Sequence, residues 1–517
     1  MFLWIVISGG FFAFIASMGI GSNDAANAFA TSVGSKTLTI KQASLIAVIF
    51  ETGGAILMGS HVTDTIRKGI ADYECFENNP ELLMYGCMWV IISVSGWLFL
   101  ASYLEMPVST THSCVGGMIG MTIALAGTEC VIWYKEVDSF PYIGGVGGII
   151  MSWFLSPIFS GIISSTLFAT IRSQVLRYPY ESKRLNYTYP ILVGSTLVIN
   201  CFFIIYKGAK GIGLDDLETS TIIIICLGTG LFGVIITIPL ITKIRKIVNV
   251  KCIVSNSTTF NTISYNQNSD FNNQNSDFNI RENYIENLES NEISNNRKNL
   301  NINSQQQFEI VSNLHNNAEK FDNRIEEVFK YLQVFSAICD SFSHGANDVA
   351  NAIGPFAAIY LIYKDQGNLS SKLDMGNDAY WILALGGIGI STGLIVYGKK
   401  IINAIGNKLC KITPSRGTCI ELGSALVIIT GSRLKIPLST THCQVGATIG
   451  VGLLENKSCN KRIEGVNYFV LSKTILGWVV TCLIVGLTTA LFCLQGVFAP
   501  TIPTITACDN NSLIYIY

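Results

Sequence analysis

The sequence contains little charge, since only 13% of its 517 residues are Asp, Glu, Lys or Arg. A soluble domain has about 25%. Hydrophobic residues make up 49% of the chain, and the mean hydropathy is +0.43. This composition excludes an ordinary soluble protein and predicts a polytopic membrane protein in contact with the lipid bilayer. The formal net charge of -1 is spread over many loops rather than one basic face, so no nucleic-acid partner is expected.

Paired cysteine motifs are also missing. None of the 15 cysteines has the spacing of a zinc site. Most lie singly inside apolar runs, as Cys87 and Cys226 do, which favours small buried core residues over disulfides.

Apolar sequence falls into runs that are mostly long enough to cross ~30 Å of hydrocarbon. The runs are 2–20, 38–60, 82–104, 113–132, 142–170, 189–207, 219–242, 329–362, 379–398, 418–432, 443–455 and 468–500. Two of them, 418–432 and 443–455, are short for a full crossing. We therefore predict an all-α polytopic membrane protein with about 12 transmembrane segments, some of them broken or re-entrant.

Basic residues are concentrated after the odd-numbered runs, as Lys36 after the first, Arg172 after the fifth and Lys243 after the seventh show. The positive-inside rule then predicts both termini outside the cell and a cytoplasmic middle. The middle is rich in Asn, Ser and Gln and cannot bury a core, so a disordered linker is predicted. The predicted divisions are an N-terminal transmembrane repeat at 1–245, the linker at 246–325, a C-terminal transmembrane repeat at 326–505 and a short tail at 506–517.

Two polar motifs occur twice in the chain. Asn-Asp-Ala-Ala-Asn-Ala at 23–28 returns as Asn-Asp-Val-Ala-Asn-Ala at 347–352, and Pro-Val-Ser-Thr-Thr-His at 107–112 returns as Pro-Leu-Ser-Thr-Thr-His at 437–442. The two Asn-Asp motifs lie an odd number of crossings apart, which predicts two inverted-topology repeats. Such repeats place a substrate site near the bilayer midplane, where their copies meet.

Carboxylates inside apolar runs indicate cation binding, because an ionised carboxylate costs at least ~2.5 kcal/mol in the hydrocarbon unless it is compensated. Oxygen ligands of this kind suit sodium, and nearby glycines such as Gly21 and Gly345 would let the helices unwind. The alternative is that Asn and Asp only cap broken helices. The predicted sodium ligands are Asn23, Asp24, Asn27, Asn347, Asp348, Asn351, Glu51 and Glu421. No cofactor is predicted, and no metal beyond sodium.

The repeated Ser-Thr-Thr motifs follow a proline and open a new apolar run, where free backbone N–H groups and hydroxyls form an anion site. The alternative is simple capping of the helix ends. The predicted anion ligands are Ser109, Thr110, Thr111, Ser439, Thr440 and Thr441. Three of the five histidines, His112, His344 and His442, lie in or beside these motifs and are candidate proton carriers or anion contacts, or neutral side chains bonded to backbone.

These motifs resemble the inorganic phosphate transporter (PiT) family, whose signature Gly-Ala-Asn-Asp-Val-Ala-Asn-Ala matches residues 345–352 throughout and 21–28 with two departures. The resemblance covers both repeats and leaves out the linker and tail. It implies a secondary active transporter that moves inorganic phosphate with sodium, or in some members with protons, through inverted repeats that form a homodimer. The inverted repeats predict alternating access, and we expect the protein in the plasma membrane. The resemblance also implies that the two Asp residues hold cations and the Ser-Thr-Thr turns hold phosphate.

Other functions remain open at the level of sequence. A proton-coupled phosphate carrier and a carrier of another oxyanion such as sulfate would need the same groups. An intramembrane aspartyl protease would also place two aspartates in the membrane. The duplicated hydroxyl turns and paired asparagines argue against such an enzyme, and no enzymatic activity is predicted.

Overall fold

The computed structural model of the chain describes residues 2–25, 28–137, 142–205, 217–266, 302–369, 375–405, 408–455, 465–499, 504–509 and 512–516. Most of these residues are α-helical. The helices are α1 Leu3–Ile20, α2 Ala30–Gly34, α3 Ile40–Lys68, α4 Pro80–Tyr103, α5 Thr110–Ala126, α6 Gly145–Ile171, α7 Arg184–Ile205, α8 Thr219–Asn266, α9 Ile302–Asn317, α10 Asn323–Lys364, α11 Ala379–Ile405, α12 Pro414–Arg433, α13 Thr440–Leu453 and α14 Tyr468–Phe498.

The helical fold is confirmed, but two small antiparallel hairpins depart from the all-α prediction. One pairs β1 (Lys135–Glu136) with β2 (Ile143–Gly144), and the other pairs β3 (Thr504–Asp509) with β4 (Ser512–Ile516). The second hairpin falls largely in the predicted tail. Its alternating Thr and Ile residues favour strand pairing.

Local sequence explains where several helices begin. Thr39 and Gln42 form a capping box before α3, each bonding to the other's backbone N–H. Pro80 and Pro414 occupy the first positions of α4 and α12, where the missing N–H has no helical partner to lose.

Seven helices among the described residues are long and apolar enough to cross a membrane: α1, α3, α4, α6, α8, α11 and α14. The other predicted runs coincide with helices that are shorter or carry the polar motifs: α5, α7, α10, α12 and α13. The 14 residues of α13 extend only about 21 Å, less than the ~30 Å of a bilayer core. A polytopic helical membrane protein is thus supported, whereas twelve complete crossings remain a prediction.

Large apolar side chains are exposed on the outside of the bundle, while the carboxylates of the repeated motifs are buried within it. On α14, Leu476, Leu483 and Leu487 are each at least 60% exposed, as lipid-facing residues would be. In contrast, Asp24 and Asp348 are at most 2% exposed. An apolar surface around buried carboxylates is typical of a membrane protein whose functional groups lie inside the helix bundle.

Glycines allow the central helices to pack backbone against backbone. A Cβ at Gly345 of α10 would lie 2.1 Å from the carbonyl oxygen of Glu51 on α3, and one at Gly54 would lie 2.0 Å from that of Phe342. The prediction that the helix unwinds at Gly345 is therefore wrong, since α10 continues through it and the glycine serves close packing. The first repeat does deviate, because Gly21–Ala25 forms a π-helical turn after α1.

Helices extend into both edges of the predicted linker, residues 246–325, and the linker itself stays a prediction. Helix α8 runs on to Asn266, and α9 occupies Ile302–Asn317. Beyond α9, Glu319 pairs with Arg177 at 2.9 Å, and its carbonyl oxygen accepts a 2.7 Å hydrogen bond from Arg416. These contacts attach the chain before α10 to the bundle, while residues 267–301 lie outside the described part.

One disulfide corrects the interpretation of the cysteines. Cys75 and Cys130 are bonded across 55 residues, in two short turns that follow α3 and α5. No local spacing signals this pair, because its members meet only after the helices have packed. Of the free cysteines in the described residues, eight are buried, which confirms the core interpretation for the majority.

Candidate functional site

The two Ser-Thr-Thr turns meet at the centre of the bundle. Ser109 and Ser439 are the N-caps of α5 and α13, and each accepts a hydrogen bond from the backbone N–H three residues later. Their own hydroxyl oxygens lie 2.8 Å apart. Capping is therefore a real role of both serines, and it places two helix N-termini, with their partial positive charge, against each other.

Asp24 is held by hydroxyls from both repeats. Thr110 donates to its Oδ2 at 2.7 Å, and Thr441 of the opposite repeat donates to its Oδ1. The backbone N–H of Thr110 also points to Oδ2, at 3.3 Å. The carboxylate thus bridges the two turns rather than facing only its own repeat.

Asp348 occupies the matching position in the second repeat. Thr440 donates to its Oδ2 at 2.6 Å, and Thr110 lies 3.4 Å from the same oxygen. Thr111 donates instead to the carbonyl oxygen of Leu438, across the repeat boundary, at 2.9 Å. The structure therefore brings Asp24, Asp348 and all six predicted hydroxyl residues into one buried centre.

The asparagines have different parts in this centre. Asn23 accepts from the backbone N–H of Val108 at 3.0 Å, and Asn347 donates to Asp348 and to the Leu438 carbonyl, both at 2.8 Å. These two residues therefore hold the turns in place through hydrogen bonds to their backbone. Asn351 donates to Thr110 and Thr111.

The Oδ1 atom of Asn351 is buried and has no hydrogen-bond partner among the described residues, so it is the amide oxygen open to a cation. The predicted ligand Asn27 lies outside the described residues.

His344 connects Glu51 to the central pair. Its Nδ1 lies 2.7 Å from Glu51 Oε2, and its Nε2 lies 3.0 Å from Asp348 Oδ2. Ser341 adds a 3.2 Å hydrogen bond to the other oxygen of Glu51. The sequence predicted Glu51 as a direct cation ligand, whereas in the structure it is the partner of an imidazole.

Glu421 lies in a separate hydroxyl-rich cluster. Its oxygens accept from Thr31 at 2.7 Å, Ser336 at 2.5 Å and Gln333 at 3.1 Å, and also from Ser32. With these donors the carboxylate is well compensated as it stands. Its predicted role as a sodium ligand therefore receives no added support from the geometry.

His112 and His442 are packed between indole rings. The ring of His112 stacks on Trp153 at 3.5 Å, that of His442 stacks on Trp478 at 3.6 Å, and the two imidazoles lie 4.7 Å apart. His112 bonds to the capping Ser109 at 2.7 Å, and His442 lies 2.8 Å from the carbonyl oxygen of Trp153. Both histidines therefore pack against the turns. The contact of His442 with the backbone carbonyl of Trp153 fits the alternative of a neutral, backbone-bonded histidine.

A small cavity beside this centre is lined in part by polar residues that the sequence motifs did not identify. Its lining includes Asp24, His344 and Thr440, together with Asp340, Ser424 and Gln444. Asp340 lies inside the apolar run 329–362, so the criterion that selected Glu51 would also have found it.

The centre is suited to cations. Ligand atoms of Asp24, His344 and Asp348 all lie within 4.8 Å of one another. At an effective dielectric of about 20, two like charges at that separation repel by about 3.5 kcal/mol. A bound cation would offset this repulsion and leave the hydroxyl donors available to an anion.

Helices that bring two matched carboxylates and two N-termini to a buried centre define the class of polytopic membrane transport proteins. The chain belongs to the phosphate transporter family, whose model matches residues 20–489. A solved structure described as the sodium-dependent phosphate transporter superposes with a TM-score of 0.71 and 28% identity, covering 96% of this chain and 100% of that one.

Named relatives agree with this assignment. Sodium-dependent phosphate transporter 1 of Mus musculus is 26% identical, with 94% of each chain covered. The phosphate-repressible phosphate permease pho-4 of Neurospora crassa is 28% identical over 96% of this chain and 97% of its own. These relatives are transporters or permeases, which supports the transporter interpretation over the intramembrane protease. The resemblance seen in the sequence motifs is confirmed.

Proposed function

We propose that this protein is a secondary active transporter that moves inorganic phosphate across a membrane together with sodium. The observation that carries the proposal is the meeting of the two Ser-Thr-Thr turns at 2.8 Å, with Asp24 and Asp348 bonded to their hydroxyls.

The hydroxyls and N-termini of both turns would hold the phosphate. Ser109, Thr110 and Thr111 come from one repeat, and Ser439, Thr440 and Thr441 from the other. A tetrahedral oxyanion has acceptor oxygens in several directions, so donors at two opposed helix N-termini can bind it from both sides. In the structure, three of these hydroxyls donate to Asp24 and Asp348 and are therefore not free to bind an anion.

Sodium would couple to phosphate through the same carboxylates. When cations take the oxygens of Asp24 and Asp348, the threonine hydroxyls can turn from the carboxylates to the anion. Cations also offset the repulsion that each carboxylate would exert on a bound anion, about 3 kcal/mol at a separation of about 5 Å and an effective dielectric of about 20. Each ligand therefore improves the site for the other, which is the thermodynamic requirement of symport. The oxygen of Asn351 completes the proposed cation ligands.

Alternating access would follow from the architecture. The repeated motifs and the matched turns support two inverted repeats around the site, and rocking of one bundle against the other would open it to each side in turn. The disulfide Cys75–Cys130 joins two turns that the charge pattern assigns to the outside, where disulfides persist. It supports the proposed orientation, with both termini outside and the linker cytoplasmic.

Location in the plasma membrane stays a prediction, and so does assembly as a homodimer, which the family resemblance implies. Light scattering of the purified protein would test the dimer.

Proton coupling is the second candidate, and one observation favours it. His344 lies between Glu51 and Asp348, at 2.7 and 3.0 Å, so a proton could enter the charged centre without sodium. A sulfate carrier would use the same hydroxyl donors and is separated by competition.

Uptake of labelled phosphate into proteoliposomes tests the proposal. We expect uptake to require an inward sodium gradient, to be unaffected by a pH gradient alone, and to resist excess sulfate. Asp348→Asn should abolish it. Uptake that is lost in Asp348→Asn but indifferent to sodium removal would contradict sodium coupling while sparing phosphate transport. Inhibition of uptake by sulfate at equal concentration would overturn the phosphate assignment.

A further inference from the structure

The two histidines of the repeated motifs bond to different groups, although each lies three residues after a capping serine. His442 Nδ1 lies 2.8 Å from the carbonyl oxygen of Trp153. His112 Nδ1 lies 2.7 Å from the hydroxyl oxygen of Ser109. Among the described residues, therefore, only the first of the two turns has an imidazole bonded to its serine.

The partner of His442 determines where its ring carries a hydrogen. A carbonyl oxygen can only accept, so Nδ1 of His442 carries a hydrogen and donates it to Trp153. That nitrogen is committed to the backbone and does not serve Ser439. In the described part of the chain, the partners of the Ser439 hydroxyl are the backbone N–H of His442 and the hydroxyl of Ser109.

His112, Ser109 and Ser439 form a chain of hydrogen bonds that crosses from one repeat to the other. The imidazole nitrogen and the first hydroxyl oxygen are 2.7 Å apart, and the two hydroxyl oxygens are 2.8 Å apart. We call these three side chains the hydroxyl chain. Each of them is at most 4% exposed, so bulk water does not compete for their hydrogen bonds.

Each hydroxyl has one hydrogen, so the hydroxyl chain can run in only two directions. If Ser109 donates to His112, Ser439 must donate to Ser109, and both hydroxyl hydrogens are used inside the chain. If His112 donates to Ser109, then Ser109 donates to Ser439, and the hydrogen of Ser439 stays available to a ligand. The second direction supplies one more donor where the two turns meet, which is where the proposed phosphate lies.

We propose that His112 is a positioning residue, which donates from Nδ1 to Ser109 and thereby directs the hydroxyl of Ser439 to the phosphate. This inference rests on the proposed phosphate site and adds to it a residue that does not touch the anion. Stacking on Trp153 at 3.5 Å holds the imidazole in the place that the hydroxyl chain requires. The ring belongs to the first repeat and the donor to the second, so the two repeats share one hydrogen-bond system.

Two variants of His112 separate its hydrogen bond from the packing of its ring. His112→Phe keeps an aromatic ring against Trp153 and loses the donor. His112→Asn keeps an N–H donor near the position of Nδ1 and loses the ring. His442→Phe is the matched comparison, because the ring of His442 is stacked in the same way, on Trp478 at 3.6 Å, but bonds to a backbone carbonyl instead of a serine.

Three measurements are made on the purified full-length protein. Equilibrium binding of labelled phosphate in saturating sodium gives the affinity, and uptake into proteoliposomes gives the maximal rate. Nitrogen NMR spectroscopy of protein labelled at histidine, with sodium and phosphate present, shows which ring nitrogen of His112 carries a hydrogen. The signal of His112 is assigned by its absence from either His112 variant.

We expect His112→Phe to bind phosphate about tenfold more weakly than the unchanged protein, the loss expected for one hydrogen bond to a charged ligand. His112→Asn should stay within about threefold of the unchanged protein. His442→Phe should lose clearly less affinity than His112→Phe. Because the lost bond acts in binding, the maximal uptake rate at saturating phosphate should be kept in His112→Phe. In the spectrum, Nδ1 of His112 should carry a hydrogen.

Two results would overturn the proposal through the direction of the hydroxyl chain or the role of the ring. An Nδ1 of His112 without a hydrogen would mean that Ser109 donates to the imidazole. A His112→Asn that binds phosphate no better than His112→Phe would mean that the site needs the packing of the ring rather than its donor.

The remaining outcomes separate this inference from the proposed function. Equal phosphate affinity in His112→Phe and the unchanged protein would remove His112 from the site and leave phosphate transport intact. If the unchanged protein binds no phosphate, the proposed function fails, and the spectrum still decides the direction of the hydroxyl chain. Should His112→Phe not fold, the spectrum and His112→Asn decide the matter.

Discussion

Neutralising Asp24 should make phosphate binding less dependent on sodium. The hydroxyl of Thr110 donates to Asp24 at 2.7 Å. An anion bonded to the same hydroxyl would lie about 5 Å from the carboxylate, since a hydroxyl hydrogen bond spans about 2.7 Å. At an effective dielectric of about 20, repulsion between unit charges at that distance is about 3 kcal/mol. Removing it corresponds to an affinity gain on the order of 100-fold.

We therefore expect Asp24→Asn to bind phosphate without sodium on the order of 100-fold more tightly than the unchanged protein, while its sodium-dependent uptake falls. The assay is equilibrium binding of labelled phosphate to purified protein, with sodium replaced by choline. Asp378→Asn is the charge-matched control, and a thermal melt checks that the variant is folded. A folded Asp24→Asn whose sodium-free phosphate affinity is unchanged or lower would refute the electrostatic account of coupling.

Three other substitutions test separate contacts. Thr441→Val removes a hydroxyl that donates from one repeat to Asp24 of the other. We expect the KM for phosphate to rise roughly fivefold while the melting temperature stays unchanged. An unchanged KM would mean that Thr441 is not part of the site. Cys75→Ser should lower the melting temperature, because a disulfide across 55 residues stabilises by up to about 4 kcal/mol, and an unchanged Tm would contradict the bond. Arg416→Ala should destabilise the protein by about 3–5 kcal/mol, since it leaves buried Glu455 unpaired, and a denaturation midpoint equal to that of the unchanged protein would speak against this pair.

The sequence predicted the centre of the protein well because the motifs occur twice. Duplication identified Asp24 and Asp348 as partners and predicted that the two Ser-Thr-Thr turns would face each other. The contact between Ser109 and Ser439 has this arrangement. Composition alone predicted a membrane protein, because long apolar segments can satisfy their backbone hydrogen bonds in a bilayer by forming helices that cross it.

Other features depend on tertiary packing and could not be predicted from the sequence. The role of Gly345 could not be read from sequence, because a glycine allows both helix unwinding and close approach, and only the position of Glu51 in α3 selects the second. Similarly, Cys75 and Cys130 carry no local signal of their bond.

Asp340 differs from these cases, because its carboxylate within an apolar run was visible in the sequence.

A density map of the protein with sodium and phosphate bound would show whether the two repeats share one site. We expect one phosphate between the two turns, within hydrogen-bonding distance of both Ser109 and Ser439, and cations at Asp24 and Asp348. A phosphate held by one turn alone, with the threonine hydroxyls still bonded to the two aspartates, would contradict it.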